Sequence, residues 1–201
     1  MTIEEANKVL QDADLLVGER EVSAAIDRMA IEITSCLKDA LPLVICVMNG
    51  GLIFAGQLLT RLVFPLELTY VHATRYGAAT RGSSLNWVSR PAQDLRDRTV
   101  LLLDDILDEG VTLAAIAEWC REQGAADVML AVLVYKRHDR KVSPGFRADF
   151  TGLETEDRFL FGYGLDFQGY WRNAPGIYAV RGVETAGLQE NIQIDHPCLP
   201  G

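Results

Sequence analysis

Positive charge is in short supply in this 201-residue chain: 19 Lys and Arg stand against 28 Asp and Glu, a formal net charge of −9. A nucleic-acid surface needs a basic face to meet the phosphate backbone, so the balance argues against that class of partner. A small anionic substrate stays possible, because backbone amides, a few cations and Mg²⁺ can hold one. Cysteine is scarce as well. Cys36, Cys46, Cys120 and Cys198 lie far apart with no CxxC spacing, so buried free thiols in a reducing compartment are expected. No apolar run approaches the ~18 residues of a membrane span. The N-terminal MTIEEANKVL is acidic and lacks a run of signal-peptide length, so the expectation is a cytoplasmic protein with no membrane partner. There are no internal repeats and no low-complexity tracts, and no Gly-x-Gly-x-x-Gly follows the first strand, which weighs against a dinucleotide-binding oxidoreductase.

Hydrophobic residues make up 49% of the chain, enough to bury a full core in one domain spanning 1–201. Thr2 followed by Glu5 is a capping-box pattern that predicts a short helix to about Gln11. Leu15 to Val17 suits a short strand. From Arg20 to about Ala40, Val22, Ile26, Met29, Ile33 and Leu37 recur at helical spacing, and Pro42 ends that helix. Leu43–Met48 is an all-apolar strand, and the Asn49-Gly50-Gly51 turn leads into a helix from about Leu52 to Leu62. A strand over Leu66–Ala73 follows. Residues 75–90 are rich in Gly, Ala, Ser and Thr and read as a long mobile loop, of the kind that acts as a lid. After the stretch 99–112 come a helix to about Gln123, a buried strand Val128–Tyr135, and short strands at Phe159–Phe161 and Ile177–Val180. The alternation from 43 to 135 predicts a parallel sheet with helices on both faces. Ligands bind such sheets at the carboxyl ends of the strands, here Met48-Asn49-Gly50, Asp104-Asp105 and Lys136.

One stretch organises the rest. Thr99 to Thr112, TVLLLDDILDEGVT, opens with an apolar run of buried-strand character and passes into Asp104, Asp105, Asp108 and Glu109. Gly110 and Thr112 then lead into a helix. Strand end, glycine turn and helix N-terminus make a site for a phosphate. A loop made only to hold phosphate would not carry four carboxylates, so these call for sugar hydroxyls or a divalent cation. Together they describe a phosphorylated sugar.

With those residues in place, the chain resembles the type I phosphoribosyltransferases, and within them the hypoxanthine-guanine group. Four motifs carry the resemblance in order: the acidic stretch, Met48-Asn49-Gly50-Gly51, Val134-Tyr135-Lys136-Arg137, and Phe159 to Asp166 with Tyr170-Trp171-Arg172. It implies an α/β fold with a central, mostly parallel sheet flanked by helices, and a small hood from about 1–20 and 150–185. It also implies transfer of the 5-phosphoribosyl group from phosphoribosyl pyrophosphate to a 6-oxopurine, hypoxanthine or guanine, giving IMP or GMP and pyrophosphate. The alternative is a non-catalytic regulatory protein of the same fold that binds phosphoribosyl pyrophosphate or nucleotides. Such proteins usually lose base-handling residues or gain a basic face.

The resemblance also assigns roles. Asp108 is the general base for the purine N7 proton. Glu109, Gly110, Val111 and Thr112 hold the 5-phosphate, with the Glu109 side chain directed away from it. Asp104 and Asp105 accept from the ribose hydroxyls and lie near Mg²⁺; Asp166 lies near a second Mg²⁺. Asn49 and Gly50 bind pyrophosphate through a turn with a cis Met48–Asn49 bond, although Asn49 stands where the family commonly has a basic residue. Arg172 clamps pyrophosphate, and Arg75-Tyr76 form the lid dipeptide. Lys136 donates to the purine 6-oxo group, Phe159 stacks on the base and the Leu160 backbone reads its edge. A homodimer or homotetramer is implied.

Overall fold

The computed structural model of the protein describes residues 1–75 and 85–184. The Thr2–Glu5 capping box closes both ways at the start of helix α1 (Ile3–Asp12), and strand β1 (Asp14–Gly18) follows. Helix α2 (Glu19–Leu37) buries the face that its periodicity marks, from Val22 to Leu37. Strand β2 (Leu43–Met48) turns directly into α3 (Gly51–Leu59). Then come β3 (Glu67–Arg75), β4 (Leu85–Ser89), β5 (Thr99–Leu107), α4 (Val111–Glu122) and β6 (Asp127–Lys136). Strands β7 (Phe150–Thr155), β8 (Arg158–Phe161) and β9 (Gly176–Glu184) are the last elements among the described residues.

Six strands form the main sheet in the order β4-β3-β2-β5-β6-β7. All its pairings are parallel except β3–β4 at one edge. Side chains alternate across β2, β5 and β6. Val44, Cys46, Leu101, Leu103, Ala131 and Leu133 face α2 and α3. Ile45, Leu102 and Val132 pack on the other side with Leu113, Ile116 and Cys120 of α4. Burial on both faces is why these strands read as continuous apolar runs. A second sheet, β1-β9-β8, is antiparallel and forms the hood.

Three sequence expectations change. Residues 85–89, expected within a mobile loop over 75–90, are a strand paired with β3; 76–84 lie outside the described residues. Residues 150–155, assigned to the hood, belong to the main sheet, because β7 pairs in parallel with β6 from Ala131↔Phe150 onward; the C-terminal part of the hood starts at about Arg158. Strand β5 also continues past its apolar run, through the acidic pair to Leu107. Among the described residues no helix is long and apolar enough to cross a membrane.

Candidate active site

The carboxyl ends of β2, β3 and β5 open into a cavity of about 360 Å³. Asp104 and Asp105 stand on the strand itself, because Asp104, Ile106 and Leu107 keep their ladder with Val132, Val134 and Tyr135 of β6. The backbone comes unusually close around them. A Cβ on Gly50 would overlap the Asp105 carboxylate, and one on Gly164 would overlap the Gly50 carbonyl, so only glycine fits at either place. Asp104 Oδ1 accepts the Asp105 N–H at 3.0 Å. Burial lifts the Asp105 carboxyl above the ordinary range, and burial together with repulsion from Asp105 lifts Asp104 well above it; Arg172 works in the opposite direction on both. Burial and the same two acids push the Cys46 thiol up to about 12. Two adjacent carboxylates that resist ionisation suit a cation as partner, and an oxygen-only donor set suits a hard divalent ion such as Mg²⁺.

Two helices begin at this cavity. Thr2 and Glu5 cap α1, and Glu21 accepts the Gly18 N–H before α2. By contrast, α3 and α4 have no side-chain cap bond and no acid in the first turn. Their N-caps, Gly50 and Gly110, line the cavity, as do Asn49, Glu109 and Thr112. Helix N-termini that supply no anion of their own attract one from outside. Gly110 takes φ +82°, with Phe146 against the place a Cβ would occupy, so the turn into α4 needs glycine. The Met48–Asn49 peptide before α3 is cis, as expected.

The third part is a charged cluster at the ends of β5 and β6. Lys136 Nζ donates to Asp108 Oδ2 at 2.7 Å and lies 3.9 Å from Asp157. His138 Nε2 sits 2.6 Å from Asp108 Oδ1. Lys141 Nζ donates to the carbonyls of Asp108 and Lys136, each at 2.6 Å. Arg140 forks onto Asp157 at 2.6 and 3.0 Å. Burial raises the Asp108 carboxyl, but the bonds and charges of Lys136 and His138 outweigh it, and the group lies below the ordinary range. Asp108, His138 and Asp157 could each offer one ligand atom within 4.8 Å of the others. Lys136 and Arg140 already supply positive charge there, so this cluster is an ion-pair network rather than a metal centre.

The residues named from sequence therefore separate into groups. Asn49, Gly50, Asp104, Asp105, Asp108 and Glu109 line one cavity together with Gly110, Thr112 and Arg172; Val111 starts α4 beside them. Lys136 joins through its bond to Asp108. Phe159 and Leu160 lie on β8, two and three residues after Asp157, with Phe159 edge-on to Phe167 at 5.6 Å between ring centres. Asp166 does not converge with Asp104 and Asp105 on one point among the described residues. It accepts from Gly169 N–H at 2.6 Å and pairs with Arg172 at 2.5 Å. Arg172 also donates to the Gly164 carbonyl at 2.6 Å. The Arg75 side chain and Tyr76 lie outside the described residues. Four residues at the site were not anticipated: His138, Lys141, Asp157, and His72 of β3, which lines the cavity. Of these, His72 carried a signal, since it sits near a strand's carboxyl end on the ligand edge of the sheet.

Residues 16–168 match the phosphoribosyl transferase domain family. The chain is 32% identical over 164 residues to a hypoxanthine-guanine phosphoribosyltransferase of Bacillus subtilis (strain 168), covering 81% of this chain and 90% of that one. It is 33% identical over 168 residues to one of Aquifex aeolicus (strain VF5), covering 83% and 93%. Among solved structures, a hypoxanthine-guanine-xanthine phosphoribosyltransferase superposes with a TM-score of 0.77 at 27% identity, over 85% of this chain and 98% of that one.

Proposed function

Because the chain belongs to the phosphoribosyltransferase family, alongside its hypoxanthine-guanine members, we propose that it is a purine-salvage enzyme, a pentosyltransferase that moves the 5-phosphoribosyl group of phosphoribosyl pyrophosphate onto a 6-oxopurine. Hypoxanthine, guanine or both are the bases, and IMP or GMP and pyrophosphate the products. The observation that carries this reading is the Lys136–Asp108 pair, 2.7 Å apart and adjoining a cavity with two helix N-termini. The 6-oxo and N7 atoms of a purine lie side by side on one edge. A donor and an acceptor at hydrogen-bond separation match that edge, and adenine's 6-amino group would face a donor with a donor.

The 5-phosphate lies on the α4 N-terminus, on the amides of Glu109, Gly110, Val111 and Thr112, with the Glu109 side chain kept from it. Pyrophosphate lies on Asn49 and Gly50 at the α3 N-terminus, and Arg172 turns from Asp166 to clamp it. Asp104 and Asp105 accept from the ribose hydroxyls, and their charge favours the cationic sugar of the transition state. A ring nitrogen of the purine bonds to C1 as the bond from C1 to the pyrophosphate oxygen breaks, and Asp108 takes the N7 proton. Phe159 stacks on the base and Leu160 reads its edge. Asp104 and Asp105 are the residues that would hold one Mg²⁺ and Asp166 the residue that would hold a second, and the metal supplies charge neutralisation for pyrophosphate when bound. The free thiols of Cys36, Cys46 and Cys120 support a cytoplasmic setting. Exposed Leu52, Leu68 and Tyr70 offer apolar surface for a homodimer or homotetramer.

The test is nucleotide formation from phosphoribosyl pyrophosphate and hypoxanthine or guanine by the purified chain with Mg²⁺, followed by absorbance. Product is expected with at least one of the two bases, and loss of product on adding EDTA. No nucleotide from either base would remove the enzyme reading and leave a binding protein of the same fold.

A further inference from the structure

Asp108 is held from both sides, and only one side is explained by the purine. Lys136 is on Oδ2 and leaves that oxygen when it turns to the 6-oxo group. On Oδ1 sits His138, whose side chain is 5% exposed. Building on the function proposed above, we propose that His138 is a positioning residue for Asp108, its Nε2–H fixing the carboxylate so that Oδ2 faces the purine N7.

The direction of that bond follows from the other ring nitrogen. Nδ1 accepts the backbone N–H of Arg140 at 3.0 Å, so in a neutral imidazole the proton is on Nε2, and Nε2 donates to Oδ1. His138 is therefore a fixed donor and not a proton relay: the N7 proton goes to Asp108 Oδ2, and Nε2–H keeps its own. Lys141, bonded to the carbonyls of Asp108 and Lys136, pegs the two backbones. What it leaves undetermined is the rotation of the Asp108 carboxylate, and His138 removes that freedom. The groups facing this carboxylate come from every neighbouring segment: Lys136 at the end of β6, His138 and Lys141 from the loop after it, and Asp157 before β8. Without His138, Oδ1 would lose this donor while Oδ2 waits for the base, and the carboxylate would turn back to Lys136. A general base out of line loses catalysis while substrates still bind.

The experiment compares wild type, His138→Ala and His138→Gln in kcat and in KM for hypoxanthine and phosphoribosyl pyrophosphate. Gln places an amide N–H near the position of Nε2 and should restore the bond. His138→Ala is expected to lower kcat about 10- to 100-fold, with KM for phosphoribosyl pyrophosphate within about twofold of wild type. His138→Gln should recover kcat to within about threefold. An Ala variant with wild-type kcat, or a Gln variant as impaired as Ala, overturns the inference. If His138→Ala does not fold, His138→Met, similar in length to Gln but without a donor, takes its place in the same comparison. A wild-type protein that forms no nucleotide removes the function reading and this inference together. An active wild type with an unimpaired Ala variant removes this inference alone.

Discussion

Asp108 is asked to be ionised in a pocket that disfavours charge, and its neighbours make that possible. Burial opposes the carboxylate, but Lys136 and His138 bring it below the ordinary value. A group depressed in the folded state stabilises the fold above its unfolded value of about 3.9, and that contribution is lost as pH falls through the lower folded value. Asp108→Asn should therefore melt below wild type at pH 7, with the gap closing as pH falls through the acid range. Its kcat should fall about 100-fold or more while the nucleotide Kd changes by only a few-fold. Thermal melts across pH 3–7, beside steady-state kinetics and titration with IMP, check all three. Equal losses in turnover and nucleotide binding would count against the general-base role. Asp104 and Asp105 present the opposite case: burial opposes the ionisation of both, and the charge of Asp105 opposes that of Asp104 as well, consistent with residues that work beside a cation.

At the scale of elements, the site is made where a hood turn touches two strand ends. Gly164, at φ +110°, lies against the Gly50 carbonyl, and Gly50 lies against Asp105. Gly164→Ala should cost about 1–3 kcal/mol and reduce turnover, because the backbone must shift away from the acid pair. Gly56, exposed in α3 with nothing within 4 Å of a Cβ, is the control, and Gly56→Ala should stabilise by about 0.5–1 kcal/mol. Denaturant melts of both check the signs; a harmless Gly164→Ala would mean the turn is not packed as described. The same elements show what a sequence discloses. Strands β2, β5 and β6 were legible because burial on both faces leaves unbroken apolar runs. Strand β7, FTGLET, was not, since it is a sheet edge with mixed residues held by its ladder to β6. β4 was missed for a similar reason, being a five-residue strand beside a polar stretch. Strand β5 was cut short at its acids because Asp is a poor strand former, yet pairing with β6 carries it to Leu107. The glycine turn into α4 and the place of Lys136 at a strand end were readable from local pattern and family motif. His138 and Lys141 were not, because their bonds to Asp108 span 30 and 33 residues and exist only once two loops fold together.

Over the whole molecule, a main parallel sheet and a small antiparallel hood meet at the cavity, and in the proposed function the sheet takes the phosphate and ribose and the hood the base. The hood is tied internally rather than merely laid on: Arg158 and Arg181 both reach Asp14 of β1, at 2.6 and 2.9 Å, and Trp171 Nε1 donates to the Ala6 carbonyl of α1 at 2.7 Å. Asp157, just before β8, brings the hood to Lys136 and hence to Asp108. On the proposed function, this division gives selectivity: helix ends in the sheet would grip the sugar phosphate, while one lysine and one aspartate between sheet and hood would read the base. The most direct measurement is kcat/KM for hypoxanthine, guanine, xanthine and adenine in one preparation with phosphoribosyl pyrophosphate and Mg²⁺. Hypoxanthine or guanine should exceed adenine by about 10⁴-fold, the scale on which sites that hydrogen-bond a substrate group reject an analogue lacking it. Adenine turned over as well as hypoxanthine would contradict the reading of the purine edge by Lys136 and Asp108.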